Sequence, residues 1–156
     1  MISANEFILF YNELFKYLND SFGKHEVEKL WAEIKDTYCK KLEDLIAEKG
    51  LQGMYEYWSK NLIEEGGKHN ITLTNTEFII DMHYCPSMGK LLNTHVLPYD
   101  DYCGHCPALF REIVEKQGFE FDYYIINRTK GECRLHVRKR ELQQESGPKF
   151  KIVQSM

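Results

Sequence analysis

The segment Glu77-Phe78-Ile79-Ile80-Asp81-Met82-His83-Tyr84-Cys85-Pro86 is where the chain changes its period. Phe78, Ile80, Met82 and Tyr84 alternate with Glu77, Ile79, Asp81 and His83, the two-residue repeat of a strand. Upstream, apolar residues recur instead at intervals of three and four, the repeat of helices that bury one side. Helices first and strands afterwards is the order of an α+β fold.

Working back from this segment, Ser3 with Glu6 forms a capping-box pattern, followed by Phe7, Tyr11, Leu14 and Leu18 at helical spacing. Ser21-Phe22-Gly23 breaks that helix. A second helix carries Val27, Leu30, Trp31, Ile34, Tyr38, Leu42, Leu45 and Ile46, and Gly50 stops it. Cys39 falls mid-helix beside this stripe and reads as a core filler. A third helix shows Leu51, Met54, Tyr55, Trp58 and Leu62 and ends at Gly66-Gly67. Working forward, a short helix follows Cys85-Pro86 through Met88, Leu91 and Leu92. Pro98 to Tyr102 is a loop. Pro107 suits the first position of a helix with Cys106 as its N-cap, and Leu109, Phe110, Ile113 and Val114 form the helix's apolar stripe up to Gly118. Phe119 to Ile126 reads as a strand, Asn127 to Gly131 as a turn, and Cys133, Leu135 and Val137 as a further strand. The expected whole is one α+β domain over residues 1–140. A layer of about three helices (3–66) packs on a small mixed or antiparallel sheet of about three strands, with a cysteine-headed helix (70–140). Residues 141–156 form a polar tail.

Composition narrows the function classes. The chain has 156 residues, 43% of them apolar and 28% charged, enough for one real core. A formal charge of −4 provides no general attraction to nucleic acid or anionic membrane. No apolar run approaches the roughly 20 residues of a membrane-spanning helix. Met1 to Glu6 lacks the basic start of a secretion signal, so a cytoplasmic setting with reduced thiols is expected. An odd count of five cysteines agrees with that better than a disulfide framework would. In that setting Asn70-Ile71-Thr72 and Asn127-Arg128-Thr129 carry no glycan.

The chemistry concentrates in Tyr102-Cys103-Gly104-His105-Cys106-Pro107. Two thiols and an imidazole stand at the start of a helix, whose unpaired N–H groups and partial positive charge favour thiolate over thiol. Topology draws in two more cysteines. A strand running up after the Cys106 helix puts Cys103, Cys106 and the start of the Cys133 strand at one edge. Cys85 joins them if the Phe78 strand also runs up. Three chemistries fit this gathering. One is nucleophilic catalysis by Cys103 or Cys106, assisted by His105, with Asp81 and His83 as a further base and its orienter. The second is a zinc or iron–sulfur site on Cys85, Cys103, Cys106 and Cys133 in a non-catalytic metal- or cofactor-binding sensor. The third is dithiol redox exchange, because Cys103-Gly-His-Cys106 matches the active-site tetrapeptide of protein disulfide isomerases. The strand before the motif ends too far upstream for that fold, near Tyr84. The set Arg134, Arg138, Lys139 and Arg140 reads as a solvated strand face.

The order of features resembles the L-2-amino-thiazoline-4-carboxylic acid hydrolase family. The resemblance rests on Phe22-Gly23-Lys24, Gly53 to Trp58, Cys85-Pro86, Tyr102-Cys103, Cys106, Gly118-Phe119 and Cys133, across residues 20 to 138. It implies opening of a cyclic amidine ring to a carbamoyl-cysteine, with a site at Cys85, Cys103, Cys106 and Cys133. A small-molecule substrate with a carboxylate calls for a cation, and Lys90 or Arg128 could supply one.

Overall fold

The computed structural model describes residues 3–140. Ser3 opens helix α1 (Ala4–Phe22) with a complete capping box. Its hydroxyl accepts from the Glu6 N–H at 3.2 Å, and its own N–H donates to the Glu6 carboxylate at 2.7 Å. Gly23, at φ 95°, turns the chain into α2 (Lys24–Tyr38). Here the structure departs from the single helix that the stripe from Val27 to Ile46 predicts. The helix breaks at Cys39, and α3 (Lys40–Lys49) continues from it. Leu42 and Glu43 both donate to the Cys39 carbonyl, at 3.1 and 3.2 Å, which is how the chain changes direction without glycine or proline. Cys39 is therefore a corner residue, buried in the core. Gly50 leads into α4 (Leu51–Glu64). Leu45 O would stand 2.1 Å from a Cβ at Gly53, so α3 and α4 cross at a point where only glycine fits. The helical layer thus has four members.

Strand β1 (Lys68–Leu73) follows, and the sequence pattern had not marked it. Then come β2 (Glu77–Tyr84), α5 (Pro86–Asn93), a 3-10 turn (Tyr102–Gly104), α6 (His105–Lys116), β3 (Phe119–Asn127) and β4 (Glu132–Lys139). The four strands form a wholly antiparallel sheet in the order β1-β2-β4-β3. Register decides its two faces. Phe78 lies opposite Val137, Ile80 opposite Leu135, Phe121 opposite Val137 and Tyr123 opposite Leu135, which makes one apolar face. The helices pack on that face: Trp58 of α4 stacks on Phe78 (5.6 Å) and meets Phe110 of α6 edge-on (5.4 Å). Phe15 and Trp31, also edge-on at 5.5 Å, extend the same buried cluster into α1 and α2. Burial of a side chain of this size contributes on the order of 2–3 kcal/mol.

The other face of the sheet is a lattice of ion pairs. Arg134 meets Asp81 at 2.6 Å, and Arg138 meets Glu120 and Asp122, each at 2.9 Å. Among the described residues, no helix is long and apolar enough to cross a membrane.

Candidate functional site

The sheet's antiparallel order brings the end of β2, the β3–β4 turn and the start of β4 to one edge. Cys85 N–H donates to Gly131 O at 3.0 Å, tying the first of these to the other two. Cys133 enters β4 on the apolar face, opposite Met82 and Ile125. Over this edge lies the 3-10 turn, from which α6 starts. Cys106 is not the N-cap that its proline neighbour suggested. The 3-10 turn runs straight into the helix, so His105 is the first helical residue and Cys106 the second.

Each thiol then has its own surroundings. Cys85 caps α5, its sulfur accepting from Met88 N–H at 3.5 Å. Cys106 Sγ lies 3.5 Å from His105 Nε2. The imidazole is held by its other nitrogen, with Nδ1 2.5 Å from the Tyr102 carbonyl. A carbonyl only accepts, so Nδ1 carries the hydrogen and Nε2 presents its lone pair to the thiol. The rings of Tyr102, Tyr11 and Phe15 enclose the imidazole at 5.2, 6.1 and 6.5 Å. Burial lowers the His105 pKa, opposed by the Tyr102 carbonyl. The resting pair is a neutral thiol donating to a neutral imidazole.

The thiols themselves shift the other way from the expectation at a helix start. Burial pushes Cys106 up to about 11, against a hydrogen bond from Tyr123. Burial and then the neighbouring Cys106 raise Cys85 to about 11 and Cys103 to about 12, with Arg128 opposing at Cys103. Cys133 rises to about 12 through burial, again opposed by Tyr123. The mutual influence of these groups reflects their gathering at one end of the sheet. Desolvation outweighs the helix starts at Cys85, Cys103 and Cys106, and at the strand residue Cys133 it is opposed by Tyr123 and by no helix end.

The remaining candidates separate. Arg128 donates to Asp100 O at 2.6 Å, pinning the β3–β4 turn to the loop before Cys103, and its charge reaches that thiol. Lys90 lies on α5; of the two cations, Arg128 is the one that acts on a cysteine. Asp81 and His83 lie on the outer face of β2, bonded to Arg134 and to Asn70 (3.0 Å). The sheet stands between them and the thiols, so they are not the base and orienter expected. Nor do the cysteines fit the proposed zinc or iron–sulfur site as arranged. Among the described residues, no three His, Cys, Asp or Glu side chains stand close enough to hold an ion.

Sequence reasoning missed Tyr123. It holds down the pKa of both Cys106 and Cys133, and burial keeps its own phenol protonated. The signal was its place two residues beyond Phe121, on the buried face of β3. Ser87 and Tyr102, whose hydroxyls meet at 2.6 Å, fix the turn from the α5 side, and Lys24 of α2 holds Asp101 at 2.9 Å. Two surface clefts lie elsewhere. One runs along the exposed side of α6, lined by Pro107, Arg111 and Lys116; the other lies at the far end of the sheet, beside Gly50, Phe119 and Lys139.

No protein-family model matches the chain, and no curated protein is significantly similar to it.

Proposed function

We propose that this protein is a small-molecule hydrolase that opens a cyclic amidine of the 2-amino-thiazoline-4-carboxylate type. In this reading Cys106 is the nucleophile and His105 its base. The observation that carries it is the thiol–imidazole pair, 3.5 Å apart, with the imidazole's other nitrogen fixed on the Tyr102 carbonyl. That arrangement gives His105 one free task, to take the Cys106 proton. The family resemblance supplies the substrate class.

The chemistry balances with these groups. His105 takes the proton as the Cys106 sulfur attacks the ring carbon between sulfur and nitrogen. The ring carbon–sulfur bond breaks, and the leaving sulfur receives the proton from His105. Water then adds to the carbon held on Cys106. The bond to Cys106 breaks, its thiol is restored, and the product is a carbamoyl-cysteine. The net reaction consumes one water. Tyr123 donates a hydrogen bond to the sulfur while it is charged, and Arg128 offers its guanidinium to the substrate carboxylate.

The test is incubation with 2-amino-thiazoline-4-carboxylate under reductant, with carbamoyl-cysteine read by mass spectrometry. The wild type forms it. Cys106→Ser loses on the order of 100-fold or more, whereas Cys103→Ser stays within about tenfold. A wild type that forms no product, or a fully active Cys106→Ser, overturns the reading.

A further inference from the structure

Gly104 is a glycine that its own backbone does not require. Its dihedral angles, φ −65° and ψ −20°, are those of a right-handed helix, which any residue adopts. At a helix start alanine would be the more stable choice. What demands glycine is a neighbour. A Cβ at 104 would stand 2.6 and 2.8 Å from the two carboxylate oxygens of Asp101. The carboxylate thus occupies the place that a side chain at 104 would fill.

Asp101 is held there from α2. Lys24, the first residue of that helix, meets Asp101 Oδ2 at 2.9 Å. Asp101 stands at the N-cap of the 3-10 turn, where an aspartate commonly bonds a helix's own N–H groups. Here its side chain makes no capping bond and goes to Lys24, while its backbone carbonyl takes the Gly104 N–H at 2.8 Å. The ion pair is partly exposed, 33% at Asp101 and 56% at Lys24, and such a pair contributes little stability. A glycine that weakens the helix start is therefore kept for an ion pair that barely stabilises it. Local rules are set aside in this way at functional sites, where position matters more than stability.

What the turn carries is the Tyr102 carbonyl. It receives two N–H groups of His105, the backbone one and Nδ1–H, the latter at 2.5 Å. These bonds fix the tautomer and leave Nε2 for Cys106, 3.5 Å away. Asp101 directly precedes Tyr102, and it closes the turn on Gly104, which directly precedes His105. How Asp101 is held therefore sets how the Tyr102 carbonyl faces the imidazole. The turn has other tethers: Ser87 bonds the Tyr102 hydroxyl and Arg128 the Asp100 carbonyl. Loss of the Lys24 contact can thus alter its geometry without unfolding it.

We infer that Asp101 is a positioning residue for His105, clamped by Lys24 over Gly104 so that the imidazole keeps its Nδ1–H form. The clamp acts through the turn and not by contact with the reacting atoms. Its service to catalysis rests on the hydrolase reading; its effect on the imidazole does not.

The experiment is long-range proton–nitrogen NMR of the imidazoles in the full chain under reductant, at about pH 8, where histidines are neutral. His105 is assigned by its loss in His105→Gln, and urea unfolding is measured beside the spectra. In the wild type the nitrogen shifts of His105 are those of the Nδ1–H form. In Asp101→Ala, and in Gly104→Ala, whose methyl displaces the carboxylate, they move toward each other as the Nε2–H form is populated. Lys24→Arg, which keeps the ion pair, keeps the wild-type shifts. Gly104→Ala separates position from stability, because alanine suits these dihedral angles and a merely structural role predicts a protein at least as stable with an unchanged imidazole. On the thiazoline substrate, Asp101→Ala and Gly104→Ala lower kcat on the order of tenfold and leave KM within about twofold. A wild type that forms no carbamoyl-cysteine removes the hydrolase reading alone, and the nitrogen shifts still decide the clamp. Wild-type shifts other than those of the Nδ1–H form overturn the inference. So do Asp101→Ala and Gly104→Ala shifts that match the wild type, and so does a Lys24→Arg shift as large as that of Asp101→Ala. If the wild type turns over and both variants keep its kcat, the clamp does not serve catalysis and the inference falls.

Discussion

At the scale of single residues the governing competition is between a helix end and burial. A helix N-terminus stabilises a nearby negative charge by about 0.3–1 kcal/mol at the surface and up to about 2 kcal/mol when partly buried. Raising a thiol from 9.0 to about 11, as at Cys106, corresponds to nearly ~3 kcal/mol against the charged form. Burial wins, and the resting site holds a protonated thiol beside a neutral imidazole. Reactivity should report this. Alkylation of Cys106 by iodoacetamide, followed on its own peptide by mass spectrometry, should rise with pH to a half-point near 11. Tyr123→Phe removes the one hydrogen bond that opposes the shift, so its half-point should move higher, at unchanged circular dichroism. A wild-type half-point at or below the ordinary thiol value would contradict the desolvated pair, as would a Tyr123→Phe half-point that moves down. His105 and Cys106 are legible as a pair in the sequence because they are neighbours. Tyr123 was not, because only the register of β3 turns it toward the same place.

At the scale of elements, the loop between α5 and the 3-10 turn is held from a distance. Asn12, fully buried in α1, accepts from Tyr99 N–H at 2.8 Å through Oδ1 and donates from Nδ2 to Leu97 O at 3.1 Å. One side chain replaces the regular structure that this loop lacks. Asn12→Ala leaves the buried Tyr99 N–H without a partner, at a cost of about 1–3 kcal/mol, while the carbonyl of exposed Leu97 turns to water. Urea unfolding should show a loss of about 1–3 kcal/mol, and a loss below about 0.5 kcal/mol would mean that the loop is held by something else. Nothing in the sequence marks Asn12, since its partners are more than 80 residues away. The same limit explains the other departures. The Val27–Ile46 stripe runs almost in phase through Cys39, so periodicity could not reveal the corner there. In β1 only Ile71 and Leu73 are apolar, and an edge strand needs no more than that, so its alternation was faint. The strands with one fully buried face, β2 and β4, and the capped helix α1 were plain, because local pattern and tertiary demand agree in them.

At the scale of the whole molecule, four thiols are folded into one edge in their neutral form, and this links stability to pH. Folded values are about 11 for Cys85 and Cys106 and about 12 for Cys103 and Cys133, against an ordinary 9.0. Between those limits the unfolded chain has released protons that the folded chain still holds. The unfolded state therefore binds fewer protons, and the stability of the fold falls as pH rises. The contribution is complete below about pH 9 and is lost as pH passes the folded values, with a slope per thiol that reaches at most ~1.4 kcal/mol per pH unit. Buried Tyr102 and Tyr123, both raised by desolvation, act in the same direction. Urea midpoints under reductant should then fall steadily between about pH 8.5 and 11. The Cys103→Ser, Cys133→Ser double variant, which has lost two of the titrating groups, should show a shallower fall. A midpoint that holds or rises over that interval would mean that the thiols meet water in the folded state. The desolvated Cys106–His105 pair on which the proposed chemistry depends would fail with it.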